Sequence, residues 1–358
     1  MGPEAVPCGR PIIYAPFLSY CILTVFALLC RKRILAKLSV RRFRMEKKMA
    51  NRKKQYSRRD NINGFLFALP WIIGFTCFSI IPLLTSLYYS FTEFNPVKDP
   101  VWVGLDNFRY ILKDPLVIKS LKNTLFMAFV STPVNLFIAL LLATLLNRSF
   151  KGRGIARTIF FMPSIIPMIA ATMVWIWMFD PTYGYINRVL GMLGITGPSW
   201  LMNPAYTKWA LVLMGTWCTG TTMLICLAAL QDVPKSYYEA AEIDGANAVQ
   251  RFVKITLPCV APVLVYQAIL NIINAFQYFT QVYVIINASS GGGSSNAGGG
   301  PANSILMYPL YLFNTAFSYM KMGRASAMAW ILFVVVSVMT FLMIKVTKKF
   351  SQNGAGDE

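Results

Sequence analysis

Four of the chain's fourteen acidic residues, Asp232, Glu239, Glu242 and Asp244, fall within thirteen positions of a protein that carries 34 Lys and Arg. The last three lie in YYEAAEIDGANAVQRFVKITLP, residues 237–258, between two long apolar runs. These residue types suit recognition rather than covalent chemistry. Ala240 and Ala241 form helix readily and keep one side low, so a partner's backbone can come close. Gly245 supplies a left-handed stop. Pro234 forces a break after the preceding run, and Ser236 and Glu239 have the S-x-x-E spacing of a capping box. The expected product is a helix capped by Ser236 and stopped at Gly245, then a second helix over residues 247–256 that ends at Pro258. This hairpin, residues 232–258, reads as a docking surface. A well-capped interfacial helix without a partner is the plainer alternative.

A second set of side chains suits a ligand. Gln267, Asn271, Asn274, Gln277, Tyr278 and Gln281 follow in the next apolar run, and spacings of four, three, four and three place 267, 271, 274, 278 and 281 on one helical face. Amides donate and accept together, and an aromatic ring offers a stacking surface, so the stripe fits an uncharged, polyhydroxylated solute. Thr216, Thr219 and Thr222 would add a smaller polar stripe in the preceding run. Hydrogen bonding between helices explains such amides equally well.

The elements that position these residues are membrane helices. Apolar residues make up 56% of the chain and charged residues 13%. Uncharged runs at 61–92, 123–147, 158–179, 209–231, 255–320 and 325–344 each supply the roughly 20 residues that a bilayer core requires. Lipid cannot satisfy open backbone, and no strand-like alternation appears, so the spans are helical. The expected fold is an all-α polytopic protein with six core spans, near 64–91, 124–146, 158–179, 209–230, 259–286 and 325–344. The transmembrane domain covers 61–350, with a short tail at 351–358.

The net charge of +20 is distributed by side. Fourteen Lys and Arg lie between Arg31 and Arg59 against Glu46 alone, and Arg148, Lys151, Arg153 and Arg157 fill the loop after the second span. Alternate loops are poorer in base or balanced by acid. This is the positive-inside pattern, with the basic segment, the hairpin and the C-terminus expected in the cytoplasm. Lipid headgroups, not nucleic acid, are the expected partner of the basic run. Residues 1–60 form an N-terminal extension whose apolar run, 11–30, is an extra span, an uncleaved anchor, or a stretch upstream of a start at Met45 or Met49; it is dispensable to the core.

Several functions drop out. The chain has no His, and its seven Cys are scattered, which leaves no zinc site and no His-based triad. None of the runs holds the ionisable residues that ion-coupled carriers use. The stretch SSGGGSSNAGGGP, 289–301, lacks the Lys of a phosphate-binding loop and is expected to be a flexible outer turn. Energy for transport would have to come from another subunit. An ion-coupled carrier or a membrane scaffold is the alternative.

EAAEIDGA followed by KITLP resembles the EAA signature of permease subunits of binding-protein-dependent ABC importers. FALPWIIGF, YYSFTEFN, RTIFFMPSIIP, WIWMFDPTYGYIN, LAALQDVP, FQYFTQVYVI and GGGPANS resemble its carbohydrate-type branch, related to maltose and glycerol-phosphate permeases. The likeness runs from about residue 64 to residue 350. It implies the type I importer permease architecture, with Ser236, Glu239, Ala240, Ala241, Asp244 and Gly245 coupling to the ATPase. It also implies a second homologous permease, two copies of a cytoplasmic ATPase that carry ATP-Mg, and an extracytoplasmic solute-binding protein. No cofactor would be bound by this chain. Two departures stand out: Thr280 replaces a common acid, and the Gly-rich turn is expanded.

Overall fold

A computed structural model describes residues 58–289 and 298–353. The apolar run 11–30, most of the basic segment and the tail 354–358 lie outside the described residues. Packing divides the chain into two units, residues 1–88 and 89–358.

In the first unit, the described part is the long apolar helix α1, Asn63–Ser90, whose last residues cross the unit boundary. It contains a π-helical turn at Thr76–Ile80, two residues before Pro82. The same pairing recurs twice in the second unit, with Met127–Ser131 before Pro133 and Phe252–Thr256 before Pro258. Proline has no N–H to donate, and its ring crowds the carbonyl four residues back. Those carbonyls belong to Phe78, Phe129 and Lys254, and each lies inside the widened turn. The helices therefore run through their prolines. One expectation is corrected here: the second helix of the hairpin does not end at Pro258 but continues without a break to Phe276.

The second unit opens with an antiparallel pair, β1 (Thr92–Asn95) and β2 (Lys98–Trp102), with Thr92 opposite Trp102. This small sheet is the one departure from the all-α expectation among the described residues. Helix α2, Asp106–Lys113, leads to α3, Pro115–Asn147, which Asp114 caps by accepting from Leu116 N at 2.8 Å. Then come α4 (Arg153–Phe161), a 3-10 turn at Met162–Ile165, and α5 (Met168–Met178). Helices α6 (Tyr185–Met192), α7 (Pro204–Trp217) and α8 (Gly220–Gln231) follow. After α9 (Lys235–Ile243), helix α10 covers residues 248–276, and α11 is Thr280–Ser289. Helices α12 (Tyr308–Phe313) and α13 (Met322–Asn353) complete the chain.

Among the described residues, four helices are long and apolar enough to cross a membrane, and six spans result if two bent pairs count as one each. The bends change the expected third and fourth spans. Residues 153–165 meet α5 at 99°, and α7 meets α8 at 51°. Pro167 disfavours helix at Ile166 before it, which accounts for the sharper bend. Gly220 makes the second bend tight: a Cβ there would lie 2.8 Å from the Phe160 carbonyl oxygen and 2.6 Å from Ser164 Oγ.

The core near the hairpin joins three helices. Ala139, Ala143 and Leu146 of α3 pack on Met223, Cys226, Leu227 and Leu230 of α8, with Val260 of α10. In lipid the small side chains matter because helices associate by close van der Waals fit. At the other end, Asp180 accepts from Thr182 N and Tyr183 N at 2.8 Å each. Those bonds, Tyr183 first, hold its carboxyl below the usual carboxylate range and make it a loop cap.

The Gly-rich turn also differs from expectation. Residues 290–297 lie outside the described residues, but residues 298–308 are fixed in place. Asn123 Nδ2 donates to the carbonyls of Asn303 (3.0 Å) and Leu306 (2.9 Å), and Lys119 Nζ donates to that of Ala302 (2.6 Å). Gly299 is required by contact, since a Cβ there would sit 2.1 Å from Leu306 Cβ.

Candidate functional site: a self-capped hairpin and a polar lining

Helix α9 has no buried residue. Its stop is as the sequence implies: Gly245 has φ +73°, Ala246 N donates to the Ala241 carbonyl at 2.9 Å, and Gly245 N donates to that of Glu242 at 3.1 Å. Those two bonds form a Schellman motif. Its start differs. Pro234 occupies the N-cap, no side chain caps it, and Ser236 is already the second helical residue. The capping box lies on the other arm, where Asn247 Oδ1 accepts from Gln250 N at 2.8 Å and Gln250 Oε1 accepts from Asn247 N at 2.9 Å. The Pro234 ring fixes φ at −59°, and the helix begins two residues earlier than a Ser236 cap would place it.

Two contacts close the hairpin. Tyr238 Oη and Thr256 Oγ1 lie 2.9 Å apart, and Arg251 pairs with Glu242 at 3.5 Å. The remaining surface is open. Ser236, Glu239, Ala240, Asp244 and Gly245 are exposed, Ala241 is half-buried, and Ile243 is 87% exposed beside Tyr237 and Val249. Apart from the uncapped start of α9, the turn and the second helix are capped from within, while apolar and acidic side chains are exposed together.

The candidate solute residues do not form one helical face. Gln267 is buried, Asn271 half-buried and Asn274 exposed on α10, which ends at Phe276. Gln277 and Tyr278 occupy the break, and Gln281 lies on α11, where its Nε2 is 3.1 Å from Met168 Sδ of α5. What unites part of the set is a lack of partners: Gln267 Nε2, Asn271 Nδ2, Gln277 Nε2 and Tyr278 Oη are buried with no hydrogen bond in the chain. Trp175 Nε1 on α5 shares that property. The sequence does not single this residue out, because a Trp in a uniformly apolar run gives no directional signal.

The threonine stripe is divided by the bend. Thr216 Oγ1 donates to the Leu213 carbonyl at 2.7 Å. Thr219 Oγ1 bonds the Thr216 carbonyl and reaches Asn135 Oδ1 at 3.4 Å. Thr222 is half-buried one turn further along α8. The first two hydroxyls thus serve the α7–α8 bend.

Residues 135–352 match the family of binding-protein-dependent transport system inner membrane components, a span that includes the whole hairpin. The chain is 42% identical over 299 residues to the probable ABC transporter permease protein YesP of Bacillus subtilis (strain 168), covering 83% of this chain and 94% of that one. It is 33% identical over 287 residues to the lactose transport system permease protein LacF of Rhizobium radiobacter, covering 79% and 93%. Its fold is similar to that in a crystal structure of a bacterial alginate ABC transporter in complex with alginate pentasaccharide-bound periplasmic protein, with a TM-score of 0.69 at 20% identity over 84% of this chain and 99% of that one. A self-capped hairpin between the spans of a helical membrane bundle, within a match of this length, makes the chain a member of that inner-membrane family: the permease subunit of an ABC importer, a transport component and not an enzyme.

Proposed function

We propose that this chain forms half of the pathway by which an ATP-driven importer moves a sugar or related polyhydroxylated solute into the cytoplasm. A second permease of the same family supplies the other half. Two copies of a cytoplasmic ATPase carry ATP-Mg, and an extracytoplasmic solute-binding protein delivers the solute. The observation that carries the reading is the hairpin, whose turn and second helix are capped from within while Tyr237, Ala240 and Ile243 stay uncovered. A groove on the ATPase would cover that face, with Ser236, Glu239, Ala241, Asp244 and Gly245 at its edge. Closure of the ATPase would then move α9 and, through Tyr238–Thr256, the base of α10. Because α10 is continuous from residue 248 to 276, the motion reaches the solute path as a rigid-body switch.

For the solute, the unpartnered amides and phenol of Gln267, Asn271, Gln277 and Tyr278 are donors at membrane depth that a hydroxylated molecule would satisfy. Asn274 and Gln281 would extend that lining, with Thr222 a smaller contribution. The lactose transport system permease among the relatives agrees with this chemistry. The sided loop charges support a cytoplasmic hairpin and C-terminus.

Affinity purification of the tagged chain from gently solubilised membranes, with mass spectrometry of what accompanies it, tests the assembly. An ATPase with a phosphate-binding loop and a second polytopic subunit are expected. Recovery of the chain alone, under conditions that keep other ABC complexes whole, would overturn the reading. Replacing Gln267 and Asn271 with Ala should lower uptake and substrate-stimulated ATP hydrolysis; unchanged values would remove the proposed path.

A further inference from the structure

The cations between α3 and α4 have no acid to balance them. Arg148, Lys151, Arg153 and Arg157 fall within ten positions, and no Asp or Glu occurs anywhere from residue 115 to residue 179. Among the described residues the ion pairs are Arg109–Asp106 and Arg251–Glu242, so these four cations take part in none. Arg153 and Arg157 are four residues apart and share one face of α4. Their stems are drawn in, and the Nε atoms of both are buried without a hydrogen-bond partner in the chain. The chain closes off these Nε atoms and supplies no acceptor, so an anion would be met by the terminal nitrogens of the two guanidinium groups.

Helix α4 has a second uncovered feature. Ala156 leans on the core of α3, α8 and α10, but Ile155, Ile159 and Met162 are 70%, 57% and 54% exposed. The helix and its 3-10 extension turn 99° into the apolar α5. A short amphipathic segment bent sharply from the apolar helix that follows it suits the lipid interface. There its apolar side meets acyl chains and its basic side meets headgroups.

We propose that α4 is a binding site for an anionic phospholipid, with the phosphate held by Arg153 and Arg157, Arg148 and Lys151 at the rim, and Ile155, Ile159 and Met162 setting the helix's depth in the acyl layer. The two halves of the surface select this occupant. An acidic peptide would satisfy the charge and leave the apolar side bare; a zwitterionic lipid would do the reverse. The site rests on the chain being a membrane permease and is independent of which solute is carried or how the ATPase docks.

The test is native mass spectrometry of the purified complex after incubation with mixed micelles of phosphatidylglycerol and phosphatidylcholine. Wild type should retain phosphatidylglycerol about thirtyfold over phosphatidylcholine, the preference expected of two interfacial cations. The R153Q/R157Q double variant should lose that preference, and R188Q, which changes an exposed arginine on a different connection, should keep it. Equal retention of the two lipids by wild type would overturn the proposal without need of any variant. So would an undiminished preference in R153Q/R157Q, or a partner protein found cross-linked to position 157 in intact membranes. None of these outcomes bears on ATP-driven uptake, which is measured separately.

Discussion

The hairpin at 232–258 and the segment at 298–308 both connect apolar helices, yet their hydrogen bonds run in opposite directions. The hairpin keeps its bonds to itself: the Schellman pair ends α9 and the Asn247–Gln250 box starts α10. Its side chains are left uncommitted. The segment at 298–308 is held by other elements. Side chains of α3 donate to three of its carbonyls, Thr207 Oγ1 of α7 donates to Ser304 Oγ at 2.8 Å, and Tyr308 N donates to Thr124 Oγ1 at 2.9 Å. Those anchors keep Ala302 and Asn303 at φ +51° and +56°, conformations that cost about 1–2 kcal/mol each for residues with a Cβ. The connection proposed to meet another protein caps its own turn. One that must stay still is tied down by its neighbours.

Substitutions can break that contrast, beginning where the loss is greatest. Asn123→Ala leaves the buried Leu306 carbonyl without a donor, whereas the Asn303 carbonyl keeps Leu306 N at 3.3 Å, and it should lower stability by about 1–3 kcal/mol, read as thermal unfolding in detergent. A change under about 1 kcal/mol would mean that the segment stands without its anchor. Gly245→Asp places a side chain where φ is +73° and should cost about 1 kcal/mol of stability. Its larger effect falls on function: uptake should fall tenfold or more, by the order of one 1.4 kcal/mol loss in docking or greater. Normal uptake in that variant would contradict the hairpin's role. Asn247→Ala removes the true capping box, at about 1 kcal/mol. Ser236→Ala should leave the melting temperature unchanged, because Ser236 caps nothing; a loss equal to that of Asn247→Ala would reverse the assignment.

Much of this was legible in composition. The apolar runs located the spanning elements because lipid demands length and apolarity alone, and those are what a sequence displays. Direction is not displayed. The 99° and 51° bends fall inside runs apolar on every side, where no periodicity marks a turn; Pro167 was the available clue to the first. Gly245 was readable because only glycine is at ease with its φ. Ser236 misled because S-x-x-E is a local pattern and Pro234 shifted the helix start past it, while Asn247-x-x-Gln250 carried the same pattern unread. The break after Phe276 has no Gly or Pro to announce it, so Gln277, Tyr278 and Gln281 were placed on a face that the chain leaves. Glycines at 299 and 300 suggested flexibility; they serve close packing on Leu306 and Ile305.

The central claim is that an ATPase covers the outer side of α9, and site-directed cross-linking in intact membranes addresses it directly. Ile243→Cys and Tyr183→Cys compare two side chains of similar exposure, 87% and 82%, on different connections. The account predicts that a thiol cross-linker joins position 243, and not position 183, to a subunit bearing a phosphate-binding loop. Absence of that product at position 243, in membranes from which the whole complex can still be purified, would contradict it.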